Sequence, residues 1–339
     1  MVRHEYFMRK AIILAQKGLG LTSPNPSVGA VLVSGDRVVA RGYHREAGAA
    51  HAEIDCLKKI TDPISVDSTL YVTLEPCSTR GRTGPCTDYI ISRGIRRIVI
   101  GAVDPNPKHC GRAMELLRRA GIDVTTGILE AECTQLNEAF NKWVVTGKPF
   151  VIAKCGMSLD GRLTSPPDDS RWITSIQSRR DANELRALVD AILVGAETIR
   201  NDDPRLTART GSRRKQPWRV IMTRSGRLPR QSKIFRDSHS SRTIVHHDQS
   251  LRSVLEDLGR RQIMSVLVEG GGEILGQALD QRLIDKVQIY IGAQFNGGGV
   301  FAFGGKGGGT TAESLRLDLP RYRRIGNDIR VTGYPKAVT

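Results

Sequence analysis

Short apolar runs alternate with amphipathic stretches along most of the 339 residues. In the first half, "SVGAVLV" and "VVARGYH" read as the two strands of a hairpin that turns at Ser34–Asp36. "HAEIDCLKKI" has helical spacing, "TLYVTLEPC" is a strand ending at a Pro-Cys pair, "TDYIISRGI" is a helix and "RRIVIGAVD" a strand. "GRAMELLRRAG" is a helix closed by Gly121, "IDVTTGI" a strand, and "EAECTQLNEAFNKWVV" one last helix. This order predicts a three-layer α/β domain over residues 1–146 with a mainly parallel sheet.

The polar segment "TGKPF" at 146–150 marks a boundary. The pattern then restarts over residues 149–339. "FVIAKCGMSLDGR" opens it as a strand, followed by the helix "SRRDANELRALV" and the strands "AILVGAETI", "RVIMT" and "TIVHH". Next come the helix "SLRSVLEDLGRR", the strand "MSVLVEGG", the helix "EILGQALDQRL" and the strand "KVQIYIGAQF". A second α/β domain is expected. The glycine-heavy run "NGGGVFAFGGKGGG" (296–309) reads as a mobile loop, because a phosphate cradle opens a helix and no helical run follows it.

Composition narrows the class. Hydrophobic residues make up 39% and charged residues 25%, the balance of a globular protein in water. No run approaches the roughly 18 to 20 apolar residues of a membrane span. "MVRHEYFMRKAIILAQKGLG" reads as a first helix rather than a signal peptide, so a cytoplasmic location is expected. The six cysteines all fall in the first half, where a reducing compartment favours metal ligation or quiet burial over disulfides. The net charge of +16 is uneven: residues 1–146 hold 19 Lys+Arg against 15 Asp+Glu, and the rest hold 32 against 20. Such a surplus suits anionic partners, either nucleic acid or phosphorylated small molecules.

One His and two Cys supply the chemistry. Catalytic zinc takes three protein ligands and keeps a fourth position for water, whose pKa it brings down to roughly 7. His51, Cys77 and Cys86 offer that set, and Glu53 stands two residues from His51, placed to carry protons without ligating. Zinc nucleobase deaminases show H-x-E followed by P-C-x-x-C. Here Pro76-Cys77 matches, while Cys86 follows nine residues later instead of three. The intervening "STRGRTGP" carries Arg80 and Arg82, whose guanidinium forks suit phosphate oxygens.

"TSPNPSVGAVLV", "GYHREAGAAHAE", "TLEPCSTRGRTGPC" and "GAVDPNP" together resemble the deaminase half of the bifunctional riboflavin-biosynthesis deaminase–reductases. "KCGMSLDGR", "SRWITS", "DAILVGAETIRNDDPRL" and "LVEGGGEILG" resemble the reductase half, in the same order. The resemblance implies an N-terminal cytidine-deaminase-like domain and a C-terminal dihydrofolate-reductase-like α/β domain. It implies one zinc per chain on His51, Cys77 and Cys86, with Glu53 as proton shuttle and Asn25 and His44 facing a pyrimidine. The implied substrate is a diaminopyrimidinone carrying a phosphoribosylamino group, with water replacing its 2-amino group. Many members carry a histidine near position 79 or 80; this chain has Thr79-Arg80.

The same resemblance implies that Ser170, Arg186, Leu206, Arg209 and Glu269 line the reductase substrate site. Gly156, Trp172, Thr198, Asp202, Thr223 and the stretch Gly271, Gly272, Glu273, Ile274, Leu275, Gly276 and Gln277 would contact NADPH. Lys154 and Asp202 are the ionisable groups placed to steer a proton while the ribose is opened to a ribityl chain. Preference for NADPH over NADH is expected from the plentiful arginines, although sequence assigns no one arginine to the 2′-phosphate. After "VQIYI" the run "GAQFNGGGVF" departs from the family's usual proline-bearing turn. A homo-oligomer is expected, with no nucleic-acid or membrane partner. Two rivals remain at this point: a nucleic-acid base deaminase with a basic gripping half, and a deaminase carrying a non-catalytic reductase-like relic.

Overall fold

The computed structural model describes residues 2–79, 84–163, 172–209, 215–307 and 309–337. The chain divides into two compact units, Met1–Gly147 and Lys148–Thr339.

The first unit begins with α1 (Val2–Gln16), the hairpin β1 (Gly29–Ser34) and β2 (Arg37–Tyr43), α2 (Ala52–Leu57) and β3 (Ser68–Leu74). It continues through α3 (Cys86–Ser92), β4 (Arg97–Ala102), α4 (Arg112–Arg119), β5 (Asp123–Thr126), α5 (Glu130–Leu136) and α6 (Glu138–Thr146). The sheet runs β2-β1-β3-β4-β5. It is evenly mixed rather than mainly parallel: β1 is antiparallel to β2 and β3, and only β3, β4 and β5 run together. The tight turn accounts for the β1–β2 pairing, since it can join only antiparallel strands, and β3, reached through α2, also lies antiparallel to β1. α1 and α5 pack on one side of the sheet and α2, α3 and α4 form a contacting row of their own. The core joins Met8 and Ala11 of α1 to Val31, Leu70, Val72 and Ile100 of the strands.

The last helix expected here is two helices, broken at Asn137. Asn137 leaves helical geometry (φ −116°, ψ 26°) and spends its amide on Ser27, accepting from the Ser27 N–H at 2.8 Å and donating to its carbonyl at 3.0 Å. A side chain that satisfies two buried backbone groups outweighs continuity of the helix.

The second unit contains β6 (Phe150–Met157), α7 (Ile176–Arg186), β7 (Ala191–Gly195), α8 (Ala196–Asp202) and β8 (Trp218–Thr223). After α9 (Lys233–Arg236) come β9 (Thr243–His247), α10 (Leu251–Arg260), β10 (Ser265–Val268), α11 (Gly272–Asp280) and β11 (Lys286–Ile291). A long hairpin, β12 (Leu315–Ile325) and β13 (Asp328–Ala337), ends the described chain. The sheet order is β12-β13-β11-β6-β10-β7-β8-β9. From β11 to β9 every pairing is parallel, and the hairpin adds antiparallel to β11. Apolar residues of α10 and α11, such as Val254, Leu258 and Leu275, pack on Val151, Ala153, Val266 and Val268.

Three expectations change here. The strand "AILVGAETI" stops at Gly195 and "AETIRND" is helix α8. The strand "FVIAKCGMSLDGR" stops at Met157. The C-terminal hairpin had no strand signal, because β12 is mostly exposed and is interrupted near Pro320 by a register shift with Leu319 at φ 47°. Among the described residues no helix is long and apolar enough to cross a membrane.

The glycine run is laced down. Asp160 accepts from the amides of Asn296 (3.1 Å) and Gly297 (2.8 Å), and the Ala302 amide donates to the Gly161 carbonyl at 2.9 Å. Further on, the Gly304 amide reaches the Gly272 carbonyl at 2.8 Å, and the amides of Lys306 and Gly307 donate to Asp280. Segment 301–305 thus lies directly on α11. A Cβ on Gly272 would overlap the Phe301 carbonyl, and one on Gly276 the Gly305 amide.

In the first unit, Gly42 does similar work. A Cβ there would collide with the Ala52 carbonyl and the Cys56 amide, so α2 can lie this close to β2 only above a glycine. Gly42→Ala is expected to destabilise the first unit by about 1–3 kcal/mol, the usual cost of overpacking. Denaturant unfolding of the full chain checks this, and an unshifted midpoint would show that α2 is free to slide outward.

Candidate active sites

In the first unit, three elements converge. His51 is the residue from which α2 starts, Cys77 follows β3 across Glu75-Pro76, and Cys86 is the first residue of α3. Their ligand atoms all lie within 4.8 Å of one another. His51 Nδ1 is 3.2 Å from Cys86 Sγ and 3.5 Å from Cys77 Sγ, and the Cys86 amide donates to Cys77 Sγ at 3.2 Å. One imidazole nitrogen and two sulfurs at this separation are the donor set of a tetrahedral zinc with one position left open. The hydrogen bond from the Cys86 thiol, with His51 and the Cys86 amide adding to it, holds Cys77 down at about 4 against the effect of burial. Its thiol partner Cys86 moves up in turn, and the hydrogen bond to Cys77 raises His51.

Glu53 is 3% exposed beside this cluster, within hydrogen-bonding reach of the Cys86 side chain. Burial pushes its carboxyl up to about 7. His44 completes the pocket side: its ring stands 5.4 Å from that of His51. His44 Nδ1 lies 3.1 Å from the Ala50 carbonyl, which sets the proton there, so Nε2 accepts from Asn25 Nδ2 at 3.3 Å. Burial keeps His44 below its ordinary value. Asn25, His44, His51, Glu53, Cys77 and Cys86 are therefore gathered in one place. Arg80 and Arg82 lie outside the described residues. The hydroxyls of Ser78 and Thr87, at the two ends of that loop, are buried with no hydrogen-bond partner among the described residues.

Sequence reading missed the role of Glu75. Its carboxylate accepts from the amides of Asp104 (3.2 Å), Gly111 (3.0 Å) and Ala113 (3.0 Å), tying the strand that leads to Cys77 to the start of α4. An acid directly before Pro-Cys was the available signal. The remaining cysteines are free thiols; Cys56, Cys133 and Cys155 are buried and pushed up to about 12, which makes them inert core residues.

In the second unit the polar centre is Glu269, just past β10. Arg186 grips it with two hydrogen bonds, Nε to Oε1 at 2.7 Å and Nη2 to Oε2 at 2.6 Å, and Lys154 Nζ stands 3.6 Å from Oε2. Burial would raise this carboxyl, but Arg186 and then Lys154 override it and hold it at about 2. Arg186 also donates to the Thr207 carbonyl at 3.4 Å, and the Arg209 amide donates to Asn183 at 3.1 Å, which brings the 206–209 loop to the same place. Leu206 is buried there in left-handed geometry at φ 49°. Burial and the neighbouring Arg186 lower Arg209. Lys154, Arg186, Leu206, Arg209 and Glu269 thus form one cluster.

The other expected residues spread along the ends of the parallel strands. Gly156, next to last in β6, lies against Thr174, Thr198 is half-buried on α8, and Thr223 ends β8. Trp172 is 55% exposed, with the Arg179 guanidinium 4.3 Å from its ring centre. Asp202 is exposed in the last turn of α8. Just before α11, Gly271 has open space where a Cβ would stand; on the helix, Ile274 packs against Gly195 and Gly270, Glu273 is exposed and Gln277 is half-buried. Leu275 belongs to the core, and Gly272 and Gly276 are covered by segment 301–305. Ser170 lies outside the described residues. A network that the sequence did not disclose anchors α7: Tyr290 donates to Asp181 at 2.6 Å, and Arg330 of β13 pairs with both Asp181 oxygens at 2.9 Å.

Known proteins resemble this chain throughout its length. Residues 1–102 match the family model described as the cytidine and deoxycytidylate deaminase zinc-binding region, and residues 149–331 match the RibD C-terminal domain. The riboflavin biosynthesis protein RibD of Aquifex aeolicus is 36% identical over 95% of this chain and 96% of its own. That of Escherichia coli is 38% identical over 87% and 89%. Among solved structures, RibD of Acinetobacter baumannii superposes with a TM-score of 0.90 at 34% identity, covering 98% of this chain and 99% of the other. The diaminohydroxyphosphoribosylaminopyrimidine deaminase/5-amino-6-(5-phosphoribosylamino)uracil reductase of Thermotoga maritima gives 0.89 at 35% identity, with the same coverage.

Two outcomes follow from the geometry. Purified protein should carry one zinc per chain, and Cys86→Ser should lose most of it; full occupancy by metal analysis in that variant would remove Cys86 from the ligand set. The second outcome concerns pH. Because Glu269 is depressed from an ordinary value of about 4.3 to about 2, it stabilises the fold above pH ~4 and that contribution fades as pH falls toward 2. Arg186→Ala should cost on the order of 3 kcal/mol near neutrality and flatten the loss between pH ~4 and ~2, to be read from unfolding midpoints across that range.

Proposed function

The chain belongs to the RibD family of riboflavin-biosynthesis enzymes, and from that premise we propose which of its residues carry each reaction. The protein is a bifunctional enzyme, a zinc-dependent deaminase and an NADP-dependent reductase. Membership of this family favours the bifunctional enzyme over the nucleic-acid deaminase reading. We assign deamination to residues 1–146 and reduction to residues 149–339.

His51, Cys77 and Cys86 hold the zinc, and their mutual separation within 4.8 Å beside a buried Glu53 is the observation that carries the assignment. Zinc in that shell supplies a Lewis acid that makes water nucleophilic near neutral pH. Glu53 takes a proton from the attacking water and returns it to the leaving nitrogen, so the C–N bond breaks, a carbonyl forms and ammonia departs. His44, its Nδ1 proton committed to Ala50, orients the Asn25 amide so that the amide oxygen faces the pyrimidine. Arg80 and Arg82 take the substrate's phosphate, with the Ser78 and Thr87 hydroxyls at the ends of their loop as further donors.

In the reductase half, the residues along the strand ends would hold NADPH, which when bound would supply the hydride for the sugar C1. Lys154 delivers the proton to the ring oxygen as the C1–O bond opens. Glu269, kept ionised by Arg186, holds the Lys154 ammonium in place. Arg186 and Arg209 are close like charges, and a phosphate or hydroxyl-rich substrate beside them relieves that repulsion. Gly156, Trp172, Thr198, Asp202, Thr223 and the exposed residues of the 271–277 stretch border the cofactor, with Ser170 and Leu206 on the substrate side. Asp202, exposed at the end of α8, belongs to the cofactor wall better than to proton transfer.

Six free cysteines fit a reducing cytoplasm. A homo-oligomer belongs to the same reading, supported by the exposed Leu319, Tyr322 and Ile329 on the C-terminal hairpin.

The test is to offer the purified protein the diaminopyrimidinone phosphate with and without NADPH and to weigh the products. Without cofactor only the deaminated pyrimidine should appear; with it, a product heavier by two hydrogens. Glu53→Gln should retain zinc yet lose deamination by about 10²- to 10⁴-fold. Near-normal turnover in that variant would assign the proton to another group.

A further inference from the structure

Strands β6, β10, β7, β8 and β9 lie side by side and parallel, so their carboxyl ends share one edge. Open α/β sheets take their ligands outside that edge. Lys154 and Glu269 stand at its β6–β10 end. Three strand steps away, about 14 Å at the usual spacing, the chain leaves β8 and turns through Arg224, Ser225, Gly226 and Arg227. The turn is firmly based: Gly226 N–H donates to Thr223 Oγ1 at 3.2 Å, and Asp248 N–H donates to the Thr223 carbonyl at 2.9 Å.

Three arginines stand at this turn: Arg227 lies exposed at its end, and Arg200 and Arg224 differ in their commitments. Arg200 donates to the Arg227 carbonyl at 2.6 Å, reaches Ser225 Oγ at 3.4 Å and pairs with Glu197. It braces the turn from below. Arg224 points outward with its side chain 80% exposed, and its partner Glu273, on the first turn of α11, is itself 62% exposed. Exposed ion pairs of this kind hold weakly. A dianionic phosphate offers the guanidinium fork a better match than one exposed carboxylate.

Resting on the reading of residues 149–339 as the NADP-dependent half, we propose that Arg224 reads the adenosine 2′-phosphate of NADPH and so sets the preference over NADH. Glu273 occupies the fork until the phosphate displaces it. The position suits this: reduction takes place at the β6–β10 end of the edge, and the far end of an extended dinucleotide reaches the loop after β8. Ser225, beside Arg224, adds a hydroxyl donor that Arg200 already orients.

Calorimetric titration of the full chain with adenosine 2′,5′-bisphosphate and with adenosine 5′-monophosphate tests the assignment without any turnover. The natural chain should bind the bisphosphate more tightly. Arg224→Ala should weaken bisphosphate binding about 10- to 100-fold and move the monophosphate little, and its bisphosphate binding should become less sensitive to salt. If Arg224→Ala keeps the natural discrimination, or Arg227→Ala abolishes it instead, the assignment to Arg224 is overturned while the cofactor reading stands. If the natural chain binds neither nucleotide, the cofactor reading fails and takes the assignment with it. Arg224 is a surface side chain, so folding of the variant is not in question.

Discussion

Parallel strands must all end on the same edge of their sheet, and the chemistry of both units depends on that constraint. In the second unit it gathers the residues after β6, β10, β7 and β8 into a single row, although they are far apart in sequence. In the first, the end of β3 delivers Cys77 to the place where α2 and α3 begin with His51 and Cys86. Hydrogen-bonded helix starts then hold these groups still, as the Cys86 amide does for the Cys77 sulfur. Backbone geometry thus places the functional atoms, and such placement is a condition for precise proton and group transfer.

Two buried glutamates show how surroundings divide one side chain into two tools. Glu53 is buried with sulfurs for neighbours and is driven up to about 7. Glu269 is equally buried, but Arg186 and Lys154 draw it down to about 2. One carboxyl stands where a proton can come and go near neutrality, and the other is held ionised between Arg186 and Lys154. Divergent environments of this kind separate acid–base work from scaffolding.

Much of this was legible in the residue order. Alternation and turn residues gave the β1–β2 hairpin and nearly every parallel strand, because those strands are buried and continuously apolar. The His51, Cys77 and Cys86 cluster was legible because few residue types can serve as metal donors. What escaped depended on contacts distant in sequence. Asn137 breaks a helix for the sake of Ser27, 110 residues earlier. β12 is recognisable only once β13 lies beside it, and Asp181 acquires its place from Tyr290 and Arg330. Periodicity reports which face of an element is buried, and says nothing about a polar side chain whose partner lies a hundred residues away.

The strap across α11 has an implication for how this enzyme can diverge. Residues 301–305 meet the helix with main chain against main chain, over two glycines that leave no room for anything else. Such a contact demands volume and amide geometry, not particular side chains. The strap itself can drift in sequence while its seat on Gly272 and Gly276 cannot. Natural variation should then accumulate on the strap's side of that contact and spare the two glycines beneath it.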